Sequence, residues 1–412
     1  SRPQRSSRTD VSSGTTIHMT PPAPPPSAET VETLTRLRAV ADGPLASATN
    51  MPAAMYQSDE IGDLERDRVF ARDWVSPGLA AAIPDVGDHL TWTIADRPVF
   101  CVRDPDGRVR TFSNVCRHRM MTLVEGDGNS RRITCPYHAW TYDLGGQLVG
   151  TNHMEHTDGF DPVDICLPEI RTEVWQGWIY CTLDPEIPSV ADLLAPIEEF
   201  VAAYGVADYV PVHRVDEVWD GNWKFLTENF MEGYHLPVTH RATLGTWMPM
   251  DSVVFPDQRH EAFTYQMFEK DENARYGRAH PDNDRLVGQW RTTTFMPTVF
   301  PSHMYILAPD HLWYLSLRPL GTGRVQLRFG IALAPEVHAS LTDPEAWIAE
   351  MVGFFTAVCE EDRVVVEGLH AGASSPLATP GPLSWLEHEL HHFMGYLADR
   401  LVPNTGYGSA PT

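Results

Sequence analysis

Cysteine is scarce in this chain, with six among 412 residues. Four of them, Cys101, Cys166, Cys181 and Cys359, have no disulfide-like spacing, which excludes a disulfide-stapled scaffold and makes them expected small core residues. Basic charge is scarce as well. With 31 Lys and Arg against 55 Asp and Glu the formal charge is −24, and no basic block offsets it, so nucleic-acid phosphates and anionic membrane surfaces are repelled. There is no apolar run of about 18 residues, and the first residues lack the charged-then-apolar design of a signal peptide; a cytoplasmic chain without a membrane span is expected. A G-x-G-x-x-G dinucleotide loop and internal repeats are also missing, so any NAD(P)H must be used through another protein.

What is present is size and apolar content: 42% hydrophobic composition over 412 residues suffices for two domains of about 100–200 residues each. Residues 1–45 are rich in Ser, Thr, Pro and Arg, include Pro21-Pro22-Ala23-Pro24-Pro25-Pro26, and are expected to be a disordered tail. Residues 46–165, after a helical lead-in, contain short β-rich runs over His89–Ile94, Pro98–Arg103, Val109–Val115, Ile133–Thr134 and Trp140–Tyr142. Asp104-Pro105-Asp106-Gly107 and Gly145-Gly146 read as hairpin turns, so a small β domain is expected. From 166 to 412, strand patterns over Val174–Thr182 and Thr292–Leu333 mix with helical ones over Val190–Tyr204, from Trp223, over Glu345–Leu369 and over Pro382–Leu401. They do not alternate as βαβ units, so the expected class is α+β with an antiparallel sheet.

Within the β region, Cys116-Arg117-His118 is followed after sixteen residues by Cys135-Pro136-Tyr137-His138. Two thiolates and two imidazoles in this arrangement read as a Rieske [2Fe–2S] cluster, with Cys116 and Cys135 on one iron and His118 and His138 on the other. A structural Zn2+ also takes Cys2His2, but zinc fingers pair Cys with Cys and His with His, whereas each pair here is one Cys and one His. Electron transfer is therefore expected.

A second metal pattern lies in the segment from Asn222 to His240. Glu232 and His235, three apart on a helix, are about 60° apart around the axis and can touch, whereas His235 and His240, five apart, are about 140° apart. The helix must deviate between the two histidines, and Pro237 is the expected break. Two imidazoles and one carboxylate make the facial triad of non-heme Fe(II) oxygenases. In Glu345–Leu369 an apolar stripe runs through Trp347, Met351, Phe354, Val358, Val365 and Leu369, and both Glu361 and Asp362 fall where it continues. A buried carboxylate costs several kcal/mol unless it is paired or metal-bound. Periodicity does not choose between them; Glu360 points elsewhere.

In this order, over about residues 50–405, these motifs resemble the α subunit of Rieske non-heme iron oxygenases, the superfamily of ring-hydroxylating dioxygenases and N- or O-demethylases. The resemblance implies a Rieske β-sandwich domain plus a helix-grip (Bet v1-like) catalytic domain with a ligand cavity. It implies mononuclear Fe(II) on His235, His240 and Asp362, the last preferred because the family places its ligand in such a Glu-Asp-containing helix. Glu232 corresponds to the acid that bridges a neighbouring subunit's Rieske histidine to an iron-ligand histidine. The likeness further implies a head-to-tail homotrimer, electrons from a separate NAD(P)H-dependent flavin and iron–sulfur reductase or a ferredoxin, and O2 with a small organic substrate. That substrate is an aromatic compound, or a methylated or quaternary amine. Glu at position 232 is more like the amine-demethylating branch, although carnitine and glycine betaine oxygenases usually have Cys where Gly233 stands. Met120 and Ala139 occupy positions where Gly is frequent, which puts loop conformation and the partner-facing surface in question. Trp290, Tyr305, Trp313 and Tyr314 are candidate cavity aromatics.

Two other readings compete. A stand-alone Rieske electron carrier leaves the triad idle. A zinc peptidase is raised by His388-Glu389-Leu390-His391-His392, an H-E-x-x-H match, but the third metzincin histidine falls on Ala398 and no Met-turn follows. The plain expectation there is an amphipathic helix packing Leu386, Leu390, Phe393 and Leu397.

Overall fold

The computed structural model describes residues 25–244, 253–269 and 276–402. In chain order, α1 (Ala28–Asp42), α2 (Ala54–Gln57) and α3 (Asp59–Glu65) lead into β1 (Val75–Leu79), β2 (Asp88–Ile94), β3 (Arg97–Arg103) and β4 (Val109–Ser113). Four short strands follow: β5 (Gly128–Asn129), β6 (Ile133–Thr134), β7 (Thr141–Tyr142) and β8 (Leu148–Gly150). Next come β9 (Glu169–Trp175), β10 (Trp178–Thr182), α4 (Val190–Tyr204), β11 (Val210–Trp219), α5 (Trp223–Met231) and α6 (Leu236–Thr239). The chain then runs through β12 (Phe263–Glu269), β13 (Thr293–Val299), β14 (His303–Leu307), β15 (His311–Pro319) and β16 (Val325–Leu333) to α7 (Pro335–Ser340), α8 (Pro344–Ala373) and α9 (His388–Leu401).

All three sheets are antiparallel. Seven strands stand in the order β1-β10-β9-β4-β3-β2-β5, six in the order β11-β16-β15-β14-β13-β12, and β6-β7-β8 form a small third sheet. The mixed α+β class with two domains is as expected. Hairpin chemistry sets the register in the first domain: Gly146 has φ +85, and a Cβ there would meet the Phe112 ring at 2.7 Å, so glycine is required on both counts.

The boundary expected at residue 165 cuts through a sheet. β9 pairs with β4, and β10 with β1, so the first domain's main sheet runs on to Thr182. The single strand expected over Val174–Thr182 is in fact two, because Gln176 (φ 48) and Gly177 (φ 85) make a left-handed hairpin turn. The tail expected over residues 1–45 lies outside the described residues up to 24, but 28–42 are helix. Ser27 caps α1 by accepting from Thr30 N–H, and Leu34 and Leu37 are fully buried where α1 packs on α9. Its apolar stripe is short and finds its partner at the far end of the chain, which a local window does not show.

Strands β13 to β16 of the six-stranded sheet are buried on both faces along most of their length, whereas β11 at one edge stays polar and half-exposed. Trp313, Leu315 and Leu317 of β15 join one core with Met351 and Phe355 of α8 and Phe393 of α9. Leu312 and Tyr314 face the other way, into a core with Trp178 and Tyr180 of the first domain. Arg328 ties the domains together: its guanidinium bonds Asp216 at 2.7 and 2.8 Å, Pro77 O at 3.0 Å and Thr91 O at 3.2 Å, and lies 4.8 Å from the Trp92 ring centroid. α5 is anchored by Lys224, fully buried, whose Nζ meets Glu65 Oε1 at 2.7 Å, while Trp223 Nε1 donates to Glu65 Oε2 at 2.8 Å.

Candidate metal centres

Two loops of the first domain share one hydrogen-bond pattern. Met120 N–H donates to Cys116 O at 3.1 Å and Cys116 N–H to Met121 O at 2.8 Å; Ala139 N–H donates to Cys135 O at 3.0 Å and Cys135 N–H to Trp140 O at 2.8 Å. Met120 and Ala139 close the turns at φ 58 and 57. This left-handed region costs a non-glycine residue about 1–2 kcal/mol, so both departures from Gly keep the turn under strain and add side chain at the surface, Met120 being 83% exposed.

Cys116 and Cys135 are buried, and the rings of His118 and His138 lie 4.7 Å apart, with Trp140 stacked on His118 at 4.6 Å. His138 Nδ1 is buried without a hydrogen-bond partner. An orphaned imidazole nitrogen beside two buried thiols fits a Rieske [2Fe–2S] cluster. The four do not converge within the 4.8 Å that brings ligand atoms together on one ion, which fits a two-iron core better than a single Zn2+. Tyr142, which the sequence reading did not single out, has its OH 3.4 Å from Cys116 Sγ and accepts from Arg117 N–H at 3.0 Å. Burial and the contact with Cys116 push its phenol up, so it keeps its proton for the sulfur.

The second centre is assembled from α5, α6 and α8. Among the described residues, one set of three or more metal-ligating side chains converges within 4.8 Å: His235, His240 and Asp362. Nε2 of His235 and of His240 stand 3.2 Å apart, and Asp362 Oδ1 is 3.5 and 3.0 Å from them. Asp362 Oδ1 is buried and has no hydrogen-bond partner. Three convergent donors, one of them an orphaned carboxylate oxygen, fit a divalent cation.

The chain breaks earlier than expected. α5 stops at Met231 and Glu232 is extended, so the turn lies at Glu232–Gly233; Pro237 instead opens α6 within its first turn, where its missing N–H costs nothing. Glu232 reaches His235 as the spacing requires, but as a cap: Oε1 is 2.6 Å from Nδ1 and Oε2 accepts the His235 N–H at 3.0 Å. On α8 the buried stripe is Met351, Phe355, Val358 and Val366, so Asp362 falls in line. Phe354 and Val365 are only partly buried and Leu369 is exposed, because the stripe drifts on a 30-residue helix.

Glu361, left open as an alternative ligand, has a different place: its Oε2 is 2.7 Å from His240 Nδ1 and accepts from Thr243 Oγ1 at 2.6 Å. Each histidine thus gives Nδ1 to a glutamate and Nε2 to the centre, which fixes the tautomer and raises basicity. Asn229 Nδ2, 3.3 Å from His235 Nε2, is a further neighbour that spacing did not reveal. Of the candidate cavity aromatics only Trp313 lies on the α5–α8 side of the sheet, against Phe230 and Phe355. Tyr305 and Tyr314 pack between the two sheets, and Trp290 lies against that same core, because alternate strand residues point to opposite faces. Cys166 is exposed rather than core.

The rings of His388 and His392, one turn apart, meet edge to face at 4.3 Å, but among the described residues no third ligand joins them. Glu389 is fully buried, and Leu390, Phe393 and Leu397 are buried as expected, but His392–Ala398 are buried without interruption, so α9 is enclosed there rather than amphipathic, and Leu386 precedes it only partly buried. No described helix is long and apolar enough to cross a membrane.

Comparison with known proteins agrees with this geometry. Residues 73–165 match the Rieske [2Fe-2S] domain, and 206–402 the ring hydroxylating alpha subunit catalytic domain. The glycine betaine monooxygenase oxygenase subunit of Pseudomonas aeruginosa is 31% identical over 208 residues, 50% of this chain and 48% of that protein, so the match spans about half of that relative's length. The chloroplastic choline monooxygenase of Spinacia oleracea is 24% identical over 365 residues, covering 87% of this chain and 80% of its own. Solved structures of a quaternary ammonium Rieske monooxygenase with an inhibitor (21% identity, TM-score 0.75, 90% of this chain and 98% of that one) and of naphthalene 1,2-dioxygenase from Rhodococcus sp. bound to indole (22%, 0.75, 91% and 98%) share the fold. With both of its domains matched in order and both constellations assembled, the chain belongs to the Rieske non-heme iron oxygenases, as an α-subunit-type member.

Proposed function

We propose that this chain is the terminal oxygenase of a Rieske system acting on a small methylated, quaternary amine, with Cys116, His118, Cys135 and His138 holding the [2Fe–2S] cluster and His235, His240 and Asp362 holding Fe(II). The observation that carries the oxygenase reading is the convergence of two glutamate-oriented imidazoles and one orphaned carboxylate. When bound, the cluster supplies one-electron transfer and the ferrous ion supplies O2 activation.

The chain's own residues do the rest. Glu232 and Glu361 hold the Nδ1 protons of His235 and His240, so both Nε2 lone pairs face the centre. Trp313 packs edge to face with Phe230 at 5.7 Å and tilted against Phe355 at 5.8 Å, on the helices that carry the centre. Their ring faces attract a cation and exclude water. This, the Glu at 232, and the likeness to subunits named for glycine betaine and choline favour an amine over an arene. Balanced as a monooxygenation, one oxygen atom enters a C–H bond next to nitrogen, the other leaves as water with two electrons and two protons, and the hydroxymethyl amine collapses to formaldehyde.

Electrons come from a separate NAD(P)H-dependent reductase, directly or through a ferredoxin, and Glu232 joins one copy's Rieske histidine to His235 of the next in a head-to-tail homotrimer. Exposed apolar residues on both faces support such contact: Met120 (83%) and Tyr137 (53%) at the cluster loops, Tyr234 (58%) and Val238 (81%) beside the triad. The test is turnover with a surrogate reductase and a panel of methylated amines and arenes. Formaldehyde from an amine is expected, and Glu232→Gln should keep both metals while slowing turnover about 100-fold. Aromatic diols without formaldehyde would overturn the amine reading.

A further inference from the structure

The face of the six-stranded sheet beneath α8 carries a polar group that the reading above does not use. His311 opens β15 on the same face as Trp313, and its ring lies 5.3 Å from Phe355. Its Nδ1 is 2.7 Å from Asp310 Oδ1, and both oxygens of Asp310 also accept Gly277 N–H at 2.9 Å. The carboxylate is therefore held by the Gly277 N–H as well as by the imidazole, with Nδ1–H donating to it. His311 is 4% exposed, yet its Nε2 has no partner among the described residues and is not among the sealed polar atoms; it opens onto space.

Along α8 the same helix face leads from Phe355 to Asp362 of the metal centre. Ile306 on the neighbouring β14 is only partly buried although β13 and β15 flank it, so this face of the sheet is not fully covered. Phe355 and Asp362, seven residues apart on one face of α8, are separated by about 10 Å along the axis. A molecule with a methyl group at the triad and its body along Phe230, Trp313 and Phe355 would place its far end toward His311, whose ring is 5.3 Å from Phe355.

We propose that His311, held by Asp310, is the polar anchor of the substrate pocket and hydrogen-bonds a hydroxyl or carboxylate at the end of the substrate remote from the reacting methyl. This rests on the reading above that the substrate fills the space between sheet and α8. A hydroxyl donates to neutral Nε2, whereas a carboxylate accepts from the protonated ring. A fixed imidazole left without a partner when the oxygen group is missing then discriminates strongly.

The test is calorimetric binding to the anaerobic holoenzyme, with choline and glycine betaine compared against ethyltrimethylammonium. At least one oxygenated cation should bind about tenfold tighter. Choline identifies a hydroxyl anchor and glycine betaine a carboxylate one. His311→Leu should erase the difference and leave ethyltrimethylammonium unchanged, while His311→Gln, which keeps hydrogen-bonding atoms, should retain part of it; unaltered cluster absorbance verifies folding. A preference surviving His311→Leu, or none in the parent protein, overturns the anchor. If no cation binds but benzyl alcohol or benzoate outbinds toluene in a His311-dependent way, the anchor stands and the amine reading falls. Absence of discrimination in both series sinks the anchor.

Discussion

The two histidine pairs occupy opposite surroundings. His118 and His138 sit on loop tips whose cysteines are buried beneath them, with exposed Met120 and Tyr137 alongside. His235 and His240 are enclosed, each backed by a glutamate carboxylate 2.6–2.7 Å from Nδ1. The difference follows from task. A group that hands electrons to another molecule needs ligands at the surface, whereas a group that binds O2 and substrate needs water kept out and ligand tautomers fixed from behind.

The sharpest way to break this contrast is to empty one centre and watch the other. Asp362→Ala should lower iron from about three to about two atoms per chain, leave the cluster's absorbance intact and abolish turnover. Loss of the cluster as well would show that the two regions do not load independently. In Glu361→Gln the triad stays complete but His240 loses its carboxylate, so iron affinity should fall about tenfold or more by metal titration.

A smaller effect sharpens the outer side of the comparison. Tyr142→Phe removes the hydroxyl 3.4 Å from Cys116 Sγ. Losing about one kcal/mol of stabilisation of the reduced cluster should lower its potential by about 50 mV in a redox titration, with turnover chemistry otherwise retained. An unchanged potential would mean that the hydroxyl does not donate to the sulfur.

The smallest effect asks whether the helix that leads to the triad has its own pH dependence. Glu228 on α5 is buried, with Tyr56 OH donating to both of its oxygens at 2.9 and 3.0 Å. Burial pushes its carboxyl up to about 8, against the pull of Tyr56 and Lys224, from 4.5 when unfolded. Between those values the folded chain keeps a proton that the unfolded chain releases, so stability falls as pH rises. Glu228→Gln should flatten the decline in chemical-denaturation stability between pH 5 and 8, by up to about 1.4 kcal/mol per pH unit. An unaltered slope would mean that the carboxyl is ionised in the fold.

The two centres also differ in how legible they were. The cluster motif is local: one Cys-x-His and one Cys-x-x-His pair on two short loops, each closed by its own backbone bonds, so order and spacing carry the geometry. The triad is not. His235 and His240 were legible as a pair, but the break fell at Glu232–Gly233 rather than at Pro237, since proline is as content to start a helix as to end one. Glu361 and Asp362 were inseparable by periodicity because adjacent helical positions differ by about 100° and both border the stripe. Tyr305 and Tyr314 read as cavity aromatics because a sheet buried on both faces has no polar face to mark direction.

The sequence by itself determined the donor types, the pairing of cysteine with histidine, the separation into an electron-transfer half and a triad-bearing half, and the acidic surface, because residue chemistry and short-range spacing do not depend on distant contacts. Tertiary structure decided which acid faces the triad and which backs a histidine, that β9 and β10 close the first domain's sheet, that residues 28–42 fold against α9, and that His311 packs beside Phe355 of α8. Each of these depends on segments far apart in the chain meeting in one core, and their burial is settled only when the whole chain packs.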